Sequence, residues 1–366
     1  MKGTDGMRGI LLLGAVAVMA AGCGKHEAAP PQTGGSGEGG APASGEYVYV
    51  SNEDSRNITV IDGTTDSVVS TIEVGQRPRG VKVSPDGRTV YVALSGSPKC
   101  PPTMPDAECE KLQADRSKDG VAVVDVATRK TMKTLPAGKD PETFDVSPDG
   151  TRLYVSNEDA DSASIVDLQN DKILANVKTG REPEGVTISP DGKTVWVTGE
   201  TDHNITGIDI QSGKSIGAIE VGKRPRSIGF AQNGAKAYVT NEVAGTVTVV
   251  DMKAKKAVKT ITMPEGSRPM GLASSPDGQR VYVSNGRGGT VSVLDVASDS
   301  ILSTTKVGTR PWGVGVTKDG KKLYTANGPG NDVTVVDAST MQVVKTIPVG
   351  SVPWGVAIGP AVKPQP

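Results

Sequence analysis

The sequence is poor in histidine, cysteine and aromatic residues, and each shortage narrows the chemistry that the chain can perform. Of 366 residues, two are histidine and three are cysteine, and aromatic residues make up 3%. Two histidines disfavour a histidine-rich metal site and weaken any proposal of a histidine general base. No CxxCH motif occurs, which excludes a covalently attached c-type haem. Because the net charge is -1 and no basic block stands out, nucleic acid is not expected as a partner.

The N-terminus has the pattern of a targeting segment. Lys2 and Arg8 supply positive charge, and the apolar stretch from Ile10 to Ala21 is too short to span a bilayer. Small residues then lead directly to Cys23, a pattern that resembles a bacterial lipobox, in which the cysteine carries the lipid. We therefore predict a lipoprotein signal peptide over residues 1–22 and lipidation of Cys23. An ordinary secretory signal with a free cysteine nearby is the alternative.

The residues after this cysteine predict where the protein is located. Gly24 follows it, and in Gram-negative bacteria the absence of Asp there usually directs a lipoprotein to the outer membrane. Residues 23–45 are rich in Gly, Ser, Pro and Ala without hydrophobic periodicity, which indicates a flexible linker. We expect an exported protein that is anchored by its lipid in the outer membrane and faces the periplasm.

A repeated element decides the fold class. Glycine and proline are abundant, with 46 and 25 residues, and a Gly-x-x-Pro element recurs seven times. Its prolines are 42 to 44 residues apart, except for a first gap of 63, which equals one repeat plus a 21-residue insertion. The seven prolines are Pro78, Pro141, Pro183, Pro225, Pro269, Pro311 and Pro353.

Each repeat predicts four short antiparallel strands, which together form one propeller blade. An apolar strand such as GVTIS (185–189) precedes an Asp-Gly or Asn-Gly turn, which supplies the positive φ angles of a tight hairpin. Three strands at the start of residues 46–359 and one at the end, GVAIG (355–359), complete a last blade. We predict an all-β fold, a seven-bladed β-propeller, with a short tail at 360–366.

Short motifs in the second strands add a family resemblance. YVTN occurs at Tyr238 and YVSN at Tyr49, Tyr154 and Tyr282. Residues 46–359 resemble the YVTN-type β-propeller family. Stretches such as VGQRPRGV and REPEGVTISPDGKTV look most like the propellers associated with pyrroloquinoline quinone-dependent alcohol catabolism. This resemblance implies an extracytoplasmic propeller and leaves its role open.

The insertion at residues 95–120 contains the two remaining cysteines, Cys100 and Cys109. It falls between the second and third strands of one blade and contains three closely spaced prolines. Export into an oxidising compartment favours a disulfide between these cysteines. A free thiol pair and a metal clip are the alternatives. A crosslinked loop on one face would help to shape a partner site.

Side chains vary between repeats where loops gather on one face, next to the Gly-x-x-Pro prolines and after the second strands. Trp312 and Trp354 offer an apolar shelf that faces charged groups, which suits a ligand or peptide of both characters. The alternative is structural: the charged residues pair with one another, and the tryptophans pack between blades. The candidate binding residues are Arg77, Arg79, Glu142, Glu158, Glu184, Glu200, Arg224, Arg226, Glu242, Arg268, Arg310, Trp312 and Trp354.

These patterns favour a binding or scaffold protein over an enzyme. We assign no catalytic residue, metal or cofactor, and we expect a monomer whose loop face takes an envelope protein, peptide or small ligand. One alternative is a lactonase-like hydrolase, because seven-bladed lactonases exist; arginines are available, but His203 is thin support for a base. Another is an accessory protein of a quinone- or cytochrome-linked periplasmic oxidation system. Fold alone does not choose between them.

Overall fold

The computed structural model describes residues 45–99, 104, 108 and 111–362. Cys23, the leader and linker before residue 45, and the pair Cys100 and Cys109 lie outside these residues, so the lipid and the disulfide stay predictions. In the described part of the chain, no helix combines the length and the apolar character needed to cross a membrane.

The strands form seven four-stranded antiparallel sheets, which confirms the predicted seven-bladed β-propeller. The innermost strands all begin at the repeated proline, where neighbouring blades meet around the channel. They are β4 (Pro78–Val83), β8 (Pro141–Val146), β12 (Pro183–Ile188), β16 (Pro225–Ala231), β20 (Pro269–Ser274), β24 (Pro311–Val316) and β28 (Pro353–Pro360).

The second and third strands carry most of the buried side chains. The second strands are β1 (Glu46–Asn52), β5 (Thr89–Leu94), β9 (Arg152–Asn157), β13 (Thr194–Gly199), β17 (Lys236–Asn241), β21 (Arg280–Asn285) and β25 (Lys322–Asn327). The third strands are β2 (Asn57–Asp62), β6 (Gly120–Asp125), β10 (Ser162–Asp167), β14 (Asn204–Asp209), β18 (Thr246–Asp251), β22 (Thr290–Asp295) and β26 (Asp332–Asp337).

The outer strands are largely exposed, and four short 3₁₀ turns complete the described elements. The outer strands are β3 (Ser67–Glu73), β7 (Lys130–Leu135), β11 (Lys172–Lys178), β15 (Lys214–Glu220), β19 (Lys256–Thr262), β23 (Ser300–Lys306) and β27 (Gln342–Pro348). The 3₁₀ turns are Arg116–Lys118, Glu158–Ala160, Gln232–Gly234 and Gly328–Gly330.

Ring closure joins the two ends of the propeller in one sheet, as predicted. β28 pairs antiparallel with β1, from Glu46 opposite Pro360 to Asn52 opposite Pro353. This sheet runs in the order β28-β1-β2-β3. Closure pairs the inner edge of the first three strands, which an open chain would leave exposed.

The hydrophobic core is divided among the seven blade interfaces. Each of its seven clusters takes side chains from two neighbouring blades. One cluster joins Tyr49 and Ile58 of the closing blade to Val90 and Val92 of the next. Because each blade buries its faces only against its neighbours, the ring is stable as a whole.

Two interfaces add a buried tyrosine–aspartate hydrogen bond to this packing. Tyr324 donates its hydroxyl to Asp66 of the next blade at 2.5 Å, and Lys322 reaches the same carboxylate at 2.7 Å. Tyr238 makes the equivalent bond to Asp299 at 2.5 Å. At the corresponding position the buried hydroxyl of Tyr154 makes no such bond to a carboxylate among the described residues. The sequence explains the difference, because that neighbouring turn carries glycine instead of aspartate.

We expect Tyr324→Phe to lower the free energy of unfolding by about 1–3 kcal/mol, because it removes a buried hydrogen bond to a charged acceptor. Tyr154→Phe is the matched control: its hydroxyl makes no such bond, so its loss should not lower the free energy of unfolding. Urea unfolding of both variants measures the effect. Equal losses in the two variants would contradict the assignment.

Candidate ligand site at the channel mouth

Close contact between neighbouring inner strands positions the candidate site. The second residue after each repeated proline is glycine in five blades. A Cβ at Gly313 would come within 2.6 Å of the Trp354 carbonyl oxygen, and one at Gly355 within 2.7 Å of the Arg79 carbonyl. Ser51 also donates its hydroxyl to that Arg79 carbonyl at 2.5 Å. The backbones of the candidate residues are therefore held side by side around the channel.

A second backbone feature recurs at the mouth of the channel. All seven residues before the repeated prolines have φ between 44° and 56°, a left-handed conformation that side chains with a Cβ seldom adopt. The set includes a β-branched residue, Val352. Since the conformation occurs in every blade, it belongs to the fold and not to one site. These residues are Arg77, Asp140, Glu182, Arg224, Arg268, Arg310 and Val352.

The first charged group of the site surrounds Arg79. Its guanidinium contacts Glu142 closely and lies 3.4 Å from Asp140, 3.6 Å from Glu158 and 3.7 Å from Glu53. The Arg79 side chain is 8% exposed. A buried guanidinium is strongly disfavoured without carboxylate partners, so these acids hold Arg79 in place.

The second charged group surrounds Arg226. It contacts Glu184 and Glu200 closely and lies 3.1 Å from Glu242. Arg224 reaches Glu200 at 2.7 Å and Glu242 at 3.4 Å. These ion pairs link neighbouring blades, so the structural alternative for this half of the charged ring has direct geometric support.

Carboxylates outnumber guanidinium groups in these two clusters, and one of the carboxylates, Glu158, has a raised pKa. Burial, followed by the nearby charges of Asp140 and Glu184, raises the pKa of Glu158 from 4.5 to about 7, although Arg79 and Arg226 oppose the rise. Glu53 differs. Burial disfavours its charged form, but Arg79, Arg77 and Lys99 outweigh that cost and hold its pKa below its usual value.

The tryptophans form the opposite wall. Trp312 and Trp354 belong to neighbouring blades and meet edge to face, with ring centroids 6.0 Å apart. Both side chains are partly exposed. Arg310 lies over the Trp312 ring, 5.1 Å from its centroid. The indole Nε1 of Trp312 is buried without a hydrogen-bond partner among the described residues. The rings thus both pack between blades and face the channel.

A cavity of about 750 Å³ brings most of the predicted residues together. Below it, a cavity of about 400 Å³ in the channel shares Glu184, Arg226, Trp312 and Trp354 with the mouth. Glu242 and Arg268 line a side pocket, and Glu200 lies behind Arg224 and Arg226. The predicted residues in the mouth cavity are Arg77, Arg79, Glu142, Glu158, Glu184, Arg224, Arg226, Arg310, Trp312 and Trp354.

The base of the insertion contributes residues that the repeat pattern did not predict. Arg77 donates to the Ser97 carbonyl at 2.5 Å, and Lys99 lies 3.3 Å from Glu53. Arg116 contacts Ser97 and Asp159 at the cavity rim. Because an insertion has no counterpart in the other blades, a comparison of repeats gives no signal for its side chains.

Two further chemical possibilities have limited support from the geometry. His203 is exposed, and its Nδ1 lies 2.8 Å from the Glu200 carbonyl, outside the residues that line the mouth cavity. Oxygens of Asp140, Glu142 and Glu158 lie within 4.8 Å of one another, close enough to share a metal ion. Arg79 already contacts all three carboxylates, so a cation would compete with its guanidinium.

We expect Glu158→Gln to become more stable than the wild type as the pH rises. Between pH 4.5 and 7 the folded protein retains a Glu158 proton that the unfolded chain has lost, so the wild-type free energy of unfolding falls across this window. The variant lacks this contribution. Because solvent screens the partly exposed Glu158 side chain, the difference in free energy of unfolding between the variant and the wild type should reach only ~1–2 kcal/mol by pH 8.

Urea unfolding from pH 4 to pH 8 measures this difference. Glu182→Gln removes an exposed glutamate on the same face and is the control for the loss of a carboxylate. A difference between Glu158→Gln and the wild type that stays constant over this range would disprove the raised pKa.

Comparison with known proteins agrees with the fold. A profile of YNCE-like β-propellers matches residues 111–235, and one of seven-bladed β-propeller lactonases matches residues 211–351. Antigen Lp49 of Leptospira interrogans is 32% identical over 110 residues, which are 30% of this chain and 23% of that protein. The chain thus matches less than a quarter of the length of this curated relative.

Solved structures share the fold at low identity. Hydrazine synthase of Kuenenia stuttgartiensis is 22% identical, with a TM-score of 0.67 over 78% of this chain and 90% of its own. A candidate 6-phosphogluconolactonase of Bacteroides uniformis is 20% identical, with a TM-score of 0.70 over 86% of this chain and 99% of its own. A candidate 6-phosphogluconolactonase of Bacteroides fragilis is 19% identical, with a TM-score of 0.71 over 88% of this chain and 99% of its own. Together with the seven closed blades, the two profiles support a β-propeller family for this chain.

Proposed function

We propose that the chain is an extracytoplasmic, lipid-anchored binding protein that takes a small ligand or a short peptide segment in the mouth cavity. One observation carries the proposal: side chains that vary from repeat to repeat converge on a single cavity of about 750 Å³. Ligand cavities in proteins are commonly 300–1,000 Å³, so this volume suits a small molecule.

The two sides of the cavity differ in chemistry, which favours a ligand with both polar and apolar parts. Arg79 and Arg226 with their glutamates form a charged side, and Trp312 with Trp354 forms an aromatic side. Rigid aromatic anchors beside fixed polar groups are typical of recognition sites. The channel below adds apolar surface, including the partly exposed Phe230.

The scaffold supports binding because it holds these groups rigidly. The candidate residues lie at or next to the ends of strands, and their backbones are fixed by glycine contacts and hydrogen bonds between blades. Preorganised side chains lose little conformational freedom on binding, which favours affinity.

The N-terminal sequence supports the cellular location in this proposal. The lipobox-like residues before Cys23 and the linker of residues 23–45 would tether the propeller to a membrane surface. A linker of this composition allows the domain to move relative to its anchor, so the loop face could reach partners in the envelope.

Tryptophan fluorescence tests the site because of where the three tryptophans lie. Trp312 and Trp354 line the cavity, whereas Trp196 is 3% exposed in a core cluster between blades. We expect a compound that enters the cavity to change the emission of the wild type in a saturable way. Hexanol, hexanoate and hexylamine serve as a first panel, since they share one apolar chain and differ in charge.

The variants then locate the response. Trp312→Phe/Trp354→Phe retains only Trp196 and should lose the emission change, and Trp354→Ala should weaken binding at least about fivefold by calorimetry, since it removes a large apolar contact. Leu302→Ala, an exposed outer-strand change, is the control for general apolar contact. No saturable response to any of the three probes would refute the proposed site.

Lactone hydrolysis is a second candidate because of one further observation. Glu158, with its pKa raised to about 7, lies 3.6 Å from Arg79 at the cavity. A carboxylate near neutrality could accept a proton from water, and a guanidinium could stabilise an oxyanion. The match of residues 211–351 to the profile of seven-bladed β-propeller lactonases adds support, but only at the level of the fold.

A panel of simple γ- and δ-lactones, followed by acid release at constant pH, tests this candidate. If the proposed base acts, Glu158→Gln should lose at least about a hundredfold in turnover, the usual contribution of a general base. Glu182→Gln should remain active. No turnover above the uncatalysed rate across the panel would reject hydrolysis of these lactones.

A further inference from the structure

Seven arginines around the channel mouth fall into two classes. Arg77, Arg79, Arg224 and Arg226 all lie within ion-pair distance of glutamates. Arg268, Arg287 and Arg310 have no carboxylate within 4.0 Å among the described residues, and their guanidinium groups make no hydrogen bond there. Arg268 is partly buried, and the other two are exposed.

The sequence explains why Arg310 has no acidic partner. Arg77 and Arg224 each meet a glutamate of the preceding blade, Glu53 and Glu200, in the position that follows the second strand. In the blade before Arg310 that position is Gly286. Glycine at this position supplies no negative charge and leaves open the space that a glutamate side chain would fill.

The three arginines share one pocket. Arg268, Arg287 and Arg310 line a cavity of about 400 Å³ together with Met270 and Gly286. Arg310 and Pro329 also line the mouth cavity, so the two spaces adjoin.

The charge of this side pocket is positive. Glu242 is the acidic residue among its described lining, and it is already shared by Arg224 at 3.4 Å and Arg226 at 3.1 Å. Three guanidinium groups that face one small space repel one another, and this repulsion is relieved when an anion enters. Guanidinium forks match the oxygens of carboxylate and phosphate groups in geometry as well as charge.

We propose that Arg268, Arg287 and Arg310 bind the anionic group, a carboxylate or a phosphate, of a small ligand whose apolar part lies against Met270 and Trp312. This inference rests on the proposed binding function and names the chemical class of its ligand. Trp312 lines the adjoining mouth cavity, and its buried Nε1 has no partner among the described residues. Arg310 lies over the Trp312 ring and joins the cationic and aromatic surfaces.

Ligands that differ only in their head group test the proposal. Hexyl phosphate, hexanoate and hexanol share one chain, and inorganic phosphate lacks it. We measure their affinities for the full chain by calorimetry and tryptophan emission at 20 and 200 mM NaCl. We expect at least one of the two anionic amphiphiles to bind at least tenfold more tightly than hexanol, and its affinity to fall at the higher salt concentration. The relative affinities of hexyl phosphate and hexanoate identify the preferred group.

Substitutions in the pocket assign the effect to these arginines. Arg268→Gln/Arg310→Gln should weaken binding of the preferred anion at least tenfold and should weaken hexanol binding much less. Arg310→Lys keeps the charge but not the fork and should give an intermediate affinity. Arg181→Gln is the control, because Arg181 is exposed on the same face and pairs with Asp202. Thermal unfolding of each variant checks that the fold is retained.

The outcomes separate this inference from the proposed function. Equal binding of hexanol and both anions, or anion binding that survives in Arg268→Gln/Arg310→Gln, overturns the anion pocket and leaves a binding site in the mouth. Anion binding that requires these arginines but not Trp312 supports the pocket and rejects the apolar contact. If neither hexanol nor either anion binds at millimolar concentration, the anion pocket fails, and the proposed function fails with it when hexylamine does not bind either.

Discussion

The loop face depends on the close packing of inner strands at the glycine that follows five of the seven Pro-x pairs. At Gly80 a Cβ would lie 2.8 Å from the Glu142 carbonyl oxygen, and at Gly313 it would lie 2.6 Å from that of Trp354. Each glycine thus lets one blade touch the backbone of the candidate residue in the next. Serine and threonine hydroxyls of the second strands bond to the same carbonyls, as Ser284 does to Trp312 at 2.5 Å. Spacing around the channel is fixed by backbone contact, so the side chains are free to differ.

Charge neutralisation governs the half of the face that contains Arg79 and Arg226. Both guanidinium groups are largely removed from water and are compensated by acids from neighbouring blades. Replacement of one partner would leave an uncompensated charge of the opposite sign, which is costly at buried positions. The excess of acids is moderated by Lys99 beside Glu53 and by the proton that Glu158 retains near neutrality. The base of the insertion is therefore part of this electrostatic balance.

The repeat allowed the fold to be predicted almost completely, because a period of 42 residues with fixed turn positions is a strong local signal. The convergence of the ring residues on one mouth followed from the same topology. The pairing of Arg79 with Glu142 did not follow from the topology. It joins side chains of two neighbouring blades and depends on their rotamers, which the repeat does not encode. The left-handed backbone at Val352 was equally hidden, because a valine there gives no local indication of positive φ. Arg287 and Lys99 were missed because they lie outside the aligned ring positions.

One source of asymmetry in this ring of similar blades is the position that follows the second strand. After the second strand, four blades carry glutamate at Glu53, Glu158, Glu200 and Glu242, whereas two neighbouring blades carry Gly286 and Gly328. Loss of the glutamate has two effects at once, because it removes a negative charge and opens volume beside the following proline loop. The first effect leaves Arg310 without a carboxylate partner among the described residues, and the second leaves Trp312 and Trp354 partly exposed. The charge and the open space beside Arg310 therefore coincide because they have the same cause, and the proposed ligand site on that side needs no departure from the blade fold.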